Sequence, residues 1–325
     1  MFGGQNVGVT DTPWAVPEEE PAVGDAAPAV VAHTAQSAPA SAPSAAVGRL
    51  VPHLAVFERP VTVADVLDGA FQVIKFRPRT VVAVAALFVV PVGLLVAIAD
   101  IGVLGGDVVS TLTDPETYEE NSTAGDSDLG LTVFSTLVSS FLVTLIAAPL
   151  ARLVEAWYVG RDPSPADLIS GLGWSWGAII VGFVVVHVIE GVATVFFLLP
   201  GLVAMTCLLV VAPAIAVERL GPFRAVRRSF DLVRRRFWST LWVALLAGLV
   251  ANTLSVLLPL LPLAIAALFG FGGEQYVAAA GTVASSLLTL PFVAGAAVIT
   301  YFDLRVRTEG LDIDLAIGEQ FDTAR

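Results

Sequence analysis

Several stretches of this chain run, with scarcely a charge among them, for the roughly 20 residues a helix needs to cross a bilayer. No other feature narrows the fold so far. Inside hydrocarbon every backbone N–H and C=O must find a partner within the protein, so only helices and closed barrels span it. Runs this long and this continuously apolar read as helices. The composition agrees, with 56% of residues hydrophobic and 14% charged, where a soluble domain is about a quarter charged. The expected fold class is all-α, a polytopic membrane bundle of about six transmembrane helices plus two cytoplasmic interfacial amphipathic helices.

The spans are expected at residues 80–104, 131–153, 174–199 and 201–217, then from Trp238 to a kink or end at Pro259 and Pro262, and last at 277–302. Pro200-Gly201 reads as a tight turn between the third and fourth. Trp174 and Trp176 suit the interfacial aromatic belt. A short Gly-rich turn is expected around Gly270–Gly273, and residues 311–325 form a short acidic tail.

Charge then orients the bundle. The loop 105–130 carries Asp107, Asp114, Glu116, Glu119, Glu120, Asp126 and Asp128 and no base. The connector from Pro200 to Trp242 carries Arg219, Arg224, Arg227, Arg228, Arg234, Arg235 and Arg236, seven of the seventeen basic residues. By the positive-inside rule, six spans with a cytoplasmic N-terminus place every Arg and Lys inside. The net charge of −12 is therefore segregated, not spread evenly. The first thirty residues lack the basic and apolar regions of a secretory signal, so the first span is expected to act as an uncleaved anchor. The expected location is the inner (plasma) membrane, multi-pass, with both termini cytoplasmic.

Residues 1–57, rich in Ala, Pro, Ser and Val, cannot bury enough apolar surface to offset ordering entropy and read as a disordered cytoplasmic tail. The membrane domain is expected over 58–310. It opens with an amphipathic helix at 62–77, capped by Thr62 with Asp65 three residues on. The helix has an apolar face of Val63, Val66, Leu67, Ala70, Phe71 and Ile74. A second such helix lies in the connector, where Phe223, Val226, Phe230, Val233 and Phe237 recur at three- and four-residue steps and arginines occupy the other faces. Ala70–Arg79 and Ser229–Trp238 resemble one another, each a basic amphipathic stretch leading into a span. Shared interfacial physics explains them as readily as duplication does.

Few residues suggest chemistry. Arg224, Arg227, Arg228, Arg234, Arg235 and Arg236 form a candidate site for anionic lipid headgroups or a protein partner, since each base near an anionic leaflet contributes on the order of 1 kcal/mol. Against this stands topology alone, which needs the same arginines. His187 and Glu190, three apart in the third span, share a helix face and form a candidate intramembrane polar site. A satisfied structural pair is the alternative. Gly173-Trp174-Ser175-Trp176-Gly177 matches a nucleophile-elbow pattern but lacks the strand before it and the His and acid partners, so it reads as chance. The small residues Gly281, Ser285 and Thr289, spaced by four, suit close helix packing. Asn121-Ser122-Thr123 is a formal glycosylation sequon with little meaning here. Cys207 is the only cysteine, which excludes a disulfide within the chain. Neither a zinc-ligand cluster nor a phosphate loop is evident, and no cofactor or metal is expected.

One resemblance emerges from the connector. Pro200-Gly201, Ala212-Pro213-Ala214, Glu218, Gly221-Pro222, Ala225, Arg227-Arg228-Ser229-Phe230, Leu232 and Phe237-Trp238 resemble the membrane domain attached to some bacterial glycerophosphoryl diester phosphodiesterases. That domain also occurs alone in many actinobacterial membrane proteins. The opening Arg59-Pro60 through Phe71, Glu155-Ala156-Trp157 with Gly160-Arg161, and Tyr301 through Leu311 are similar to those stand-alone proteins. The likeness covers roughly 58–315. It implies a membrane domain without catalysis, because the phosphodiesterase activity belongs to a separate barrel needing about 250 residues.

The sequence thus points to a non-enzymatic membrane protein, a lipid- or envelope-associated scaffold or accessory domain. Its expected partners are anionic membrane lipids, with a protein partner through the N-terminal tail and no nucleic acid. The alternative is a small-solute or lipid transporter built on His187 and Glu190. A membrane-embedded enzyme would have to use Glu155, Asp162 and Asp167, which match no mechanism.

Overall fold

The computed structural model describes residues 61–103, 125–269 and 274–310. The tails at 1–57 and 311–325, the acidic loop with its sequon and the Gly270–Gly273 turn lie wholly or mostly outside them. Every regular element among the described residues is helical: α1 (Val63–Phe76), α2 (Pro78–Val103), α3 (Gly125–Tyr158), α4 (Pro165–Ser170), α5 (Ser175–Phe196), α6 (Leu198–Leu208), α7 (Val211–Glu218), α8 (Pro222–Val233), a 3-10 turn at Arg234–Arg236, α9 (Phe237–Phe269) and α10 (Glu274–Glu309). Six stretches are long and apolar enough to cross a membrane. The protein is an all-α polytopic membrane bundle.

Helix α10 is the axis, packing against α9, α3, α1 and α2. Its 36 residues make it about 54 Å long at 1.5 Å per residue, well beyond the roughly 30 Å of a hydrocarbon core. Helix α1 lies along the C-terminal half of α10, where Ala70 meets Gly295 and the Phe71 ring lies 4.4 Å from that of Phe292. The expected capping box forms, with Thr62 N–H donating to Asp65 at 2.8 Å and Asp65 N–H to the Thr62 hydroxyl at 3.3 Å. Val66, Gly69, Ala70 and Val73 are the buried face of α1, so it rests on the bundle and not in lipid.

Gly281 explains one close contact between α9 and α10. A Cβ there would lie 3.2 Å from Pro259 Cα, so its absence lets α10 approach α9. Ser285 and Thr289, one and two turns on, are buried in the same interface direction and return their hydroxyl protons to helix carbonyls. Of the kink or end expected at Pro259 and Pro262, the end does not occur: helix α9 continues through both to Phe269. Neighbouring helices let a membrane helix tolerate such prolines.

Two further boundaries differ from expectation. The turn between the third and fourth spans falls at Phe197, the only extended residue there (φ −168°, ψ 153°). Pro200 and Gly201 sit inside the first turn of α6, where the N–H that proline lacks has no helical partner anyway. Gly201 has no Cβ because Thr194 occupies that space. The fourth span is also two helices, broken at Leu209–Val210. Pro213 accounts for the break, since its ring excludes the helical position of the carbonyl four residues earlier, that of Leu209.

Candidate functional site at the basic end

Ion pairs tie several of the described basic residues together across elements. Arg77, in the link between α1 and α2, pairs with Asp162 in the loop after α3. Arg307 holds Asp303 at 2.7 Å and donates to the Val61 carbonyl at 2.7 Å.

The centre of this end is Glu218, the last residue of α7. Its carboxylate accepts from Arg228 Nε at 2.9 and 3.0 Å and from the Tyr301 hydroxyl at 2.8 Å. Arg228 also pairs with Glu309, and Arg305 donates to Glu309 at 3.0 Å. Two carboxylates and two guanidiniums thus join α7, α8 and α10 in one closed, half-buried network. The chain reverses from α7 into α8 through Arg219, which is left-handed (φ 52°), and Gly221-Pro222, with Pro222 at the first helical position. Ser229 then donates to the Cys207 carbonyl at 2.7 Å, in the last turn before the α6–α7 break, where carbonyls lack helical partners.

The six candidate arginines therefore divide. Arg228 points inward to Glu218 and Glu309. Arg224, Arg227, Arg234, Arg235 and Arg236 are exposed. Among the described residues, Arg227 and Arg234 approach Asp231, at 3.9 and 3.4 Å. The buried face of α8 is Ala225, Ser229, Leu232 and Val233, so of the apolar stripe read from the sequence Val233 is buried, and Val226 and Phe237 pack partly buried against the core. Phe223 and Phe230 are exposed. Trp238 and Trp242 are exposed just beyond them. Trp174 is likewise exposed, whereas Trp176 turns inward and donates to the Ile169 carbonyl at 3.2 Å.

Two of the cavities among the described residues bear on these groups. One, of about 490 Å³, is lined by Arg152, Glu155, Arg161, Asp162 and Asp167. Most of its charges are engaged: Arg152 pairs with Glu155 at 2.7 Å, Asp162 with Arg77, and Asp167 caps α4. Hydrogen bonds from the Ser164 hydroxyl and backbone N–H hold the Asp167 carboxyl below the usual range. The other cavity, of about 690 Å³, is an apolar groove between α8 and the α5–α6 hairpin.

The second predicted site is brought together only in part. His187 Nδ1 lies 2.9 Å from the Phe183 carbonyl, which can only accept, so Nδ1 carries a proton. In the neutral ring Nε2 is then the acceptor for the Ser140 hydroxyl at 2.8 Å. Glu190 stands off at 3.8 Å. Both ring nitrogens are thus satisfied without the acid, and neither cavity is lined by His187 or Glu190. Ser175, of the nucleophile-like pattern, is buried at the start of α5. No group of three or more His, Cys, Asp or Glu among the described residues could hold a metal ion.

Sequence reasoning missed the Glu218 network. Its local halves were visible, since Tyr301, Arg305 and Glu309 stand at successive four-residue steps. Its long-range half, Arg228 to Glu218 and Glu309, follows only from the fold of the connector. Comparison of the chain with protein-family models, curated proteins and solved structures returns no match.

Proposed function

We propose that this is a non-enzymatic membrane protein of the plasma membrane that associates with anionic lipids through the outward face of its connector, as a scaffold or accessory domain of the envelope. One observation carries the reading. Of the six connector arginines, Arg228 alone pairs with half-buried carboxylates among the described residues, and the other five are exposed, with Asp231 the only acid among the described residues that pairs with any of them. Holding the helix in place needs Arg228. Five further charges beside outward Phe223, Phe230 and Trp238 are the composition of a helix seated at a headgroup layer. Both termini are cytoplasmic in this proposal. Kinship with the membrane domain of glycerophosphoryl diester phosphodiesterases belongs to it too, resting on the connector residues that suggest it.

Native mass spectrometry tests the reading on gently solubilised protein. Wild type should retain an anionic phospholipid class, and the triple variant Arg234→Gln, Arg235→Gln, Arg236→Gln should lose most of it. Equal, unselective lipid on both forms would leave the arginines to topology alone. The transporter reading would then be next, tested by transport loss in Glu190→Gln.

A further inference from the structure

We infer that the apolar groove under α8 seats one acyl chain of an anionic phospholipid, with its phosphate held at Arg227. The inference rests on the lipid-binding reading and gives it a location. Val203, Ala204 and Cys207 of α6 form one wall, Ile189 of α5 lies beside them, and Phe223 and Phe230 of α8 form the other. Nearly all the lining is apolar, and Arg227 is its one charged residue. The Arg227 side chain is 88% exposed, so its guanidinium is free to turn toward a phosphate at the rim.

The surroundings decide the occupant. A groove of this size has the volume of a ligand site, and left empty it would forfeit dispersion contacts along its whole lining. Water has no polar partners there except at Arg227. On the flank of a membrane bundle the abundant apolar filler is a lipid chain. A chain leaving bulk lipid for an apolar groove gains no hydrophobic free energy, because lipid tails are as apolar as the walls. Selection must therefore come from the headgroup. Arg227 and its exposed neighbours Arg224 and Arg234 set positive charge at that rim, opposed among the described residues by Asp231. An anionic phosphate headgroup complements it.

The test reconstitutes the full chain in phosphatidylcholine nanodiscs doped with phosphatidylglycerol bearing a photoreactive acyl chain. Adducts should concentrate on peptides covering 199–208 and 223–230. Ala204→Phe, which fills the groove, should cut them at least fivefold while native mass spectrometry still finds anionic lipid selected by the distal arginines. Val203→Phe serves if Ala204→Phe does not fold, as judged by its melting temperature. Arg227→Gln should equalise labelling by phosphatidylglycerol and phosphatidylcholine probes. Adducts spread evenly over exposed faces such as Val256–Leu261, or unchanged by Ala204→Phe with anionic selection intact, overturn the groove and leave the connector reading standing. Loss of anionic selection in wild type overturns both.

Discussion

Glu218 shows how single residues hold the basic end. Its carboxylate answers Arg228 and Tyr301 at once, and both its side chain and that of Arg228 are only about a fifth to a quarter exposed. Removing one partner strands the other in a poorly solvated place. Arg228→Leu is expected to cost about 1.5–3 kcal/mol, the range for hydrogen bonds to charged groups. Arg227→Gln, at an exposed position, should stay within about 0.5 kcal/mol. Thermal unfolding in detergent checks both: comparable melting temperatures for the two variants would sink the division of the arginines into inward and outward sets. The Asp167 carboxyl gives a pH test. Folding lowers its pKa through Ser164, so the capping contribution is complete above the unfolded titration near pH 4 and is lost as pH falls through the lower folded value. The protection factors of the α4 amides, with the intrinsic base-catalysed exchange rate divided out, should fall over that acidic window and be flat from neutral pH to about pH 5; Asp167→Asn should remove that dependence.

Among the elements, α9 and α10 pack closely at Gly281 against Pro259. Gly281→Val should force the pair apart, with an overpacking cost of about 1–3 kcal/mol. Gly248→Ala is the control, since a Cβ there meets no atom within 4 Å. Equal stability losses for the two would contradict the packing account. The helices themselves were legible because their cause is local: an apolar run, a capping pair at Thr62 and Asp65, a proline at the start of α8. Their rotations were not. The sequence offers α8 an aromatic stripe and a small-residue stripe, and hydrophobicity favours the aromatic one. The fold buries Ala225 and Ser229 because α6 must come close enough for Ser229 to reach the Cys207 carbonyl, a condition set 22 positions away. The α6–α7 break was missed for a similar reason. Pro213 looks like one more residue in an apolar run until the carbonyl it displaces is identified.

Over the described residues, the side chains of the Glu218 network are half-buried, while the tips of α5 and α9, Val195-Phe196 and Leu268-Phe269, are exposed. That contrast fits a bundle tied together by α1, α8 and the ion pairs at one face, with lipid around the rest. The candidate lipid site was half legible. Its arginines stand out as a cluster in the chain, but which five face outward, and that a groove opens beneath them, depends on Arg228 turning in. His187 and Glu190 were legible as a pair, yet His187 is satisfied by Ser140 from another helix, which no local pattern announces.

Everything at this scale depends on the basic end facing the cytoplasm. In a Cys207→Ser background, single cysteines at Ser122 and at Arg235 can be probed on intact cells with a membrane-impermeant maleimide. The account predicts labelling of Ser122→Cys on intact cells and of Arg235→Cys only after the membrane is opened. Labelling of Arg235→Cys on intact cells would invert the threading and contradict it.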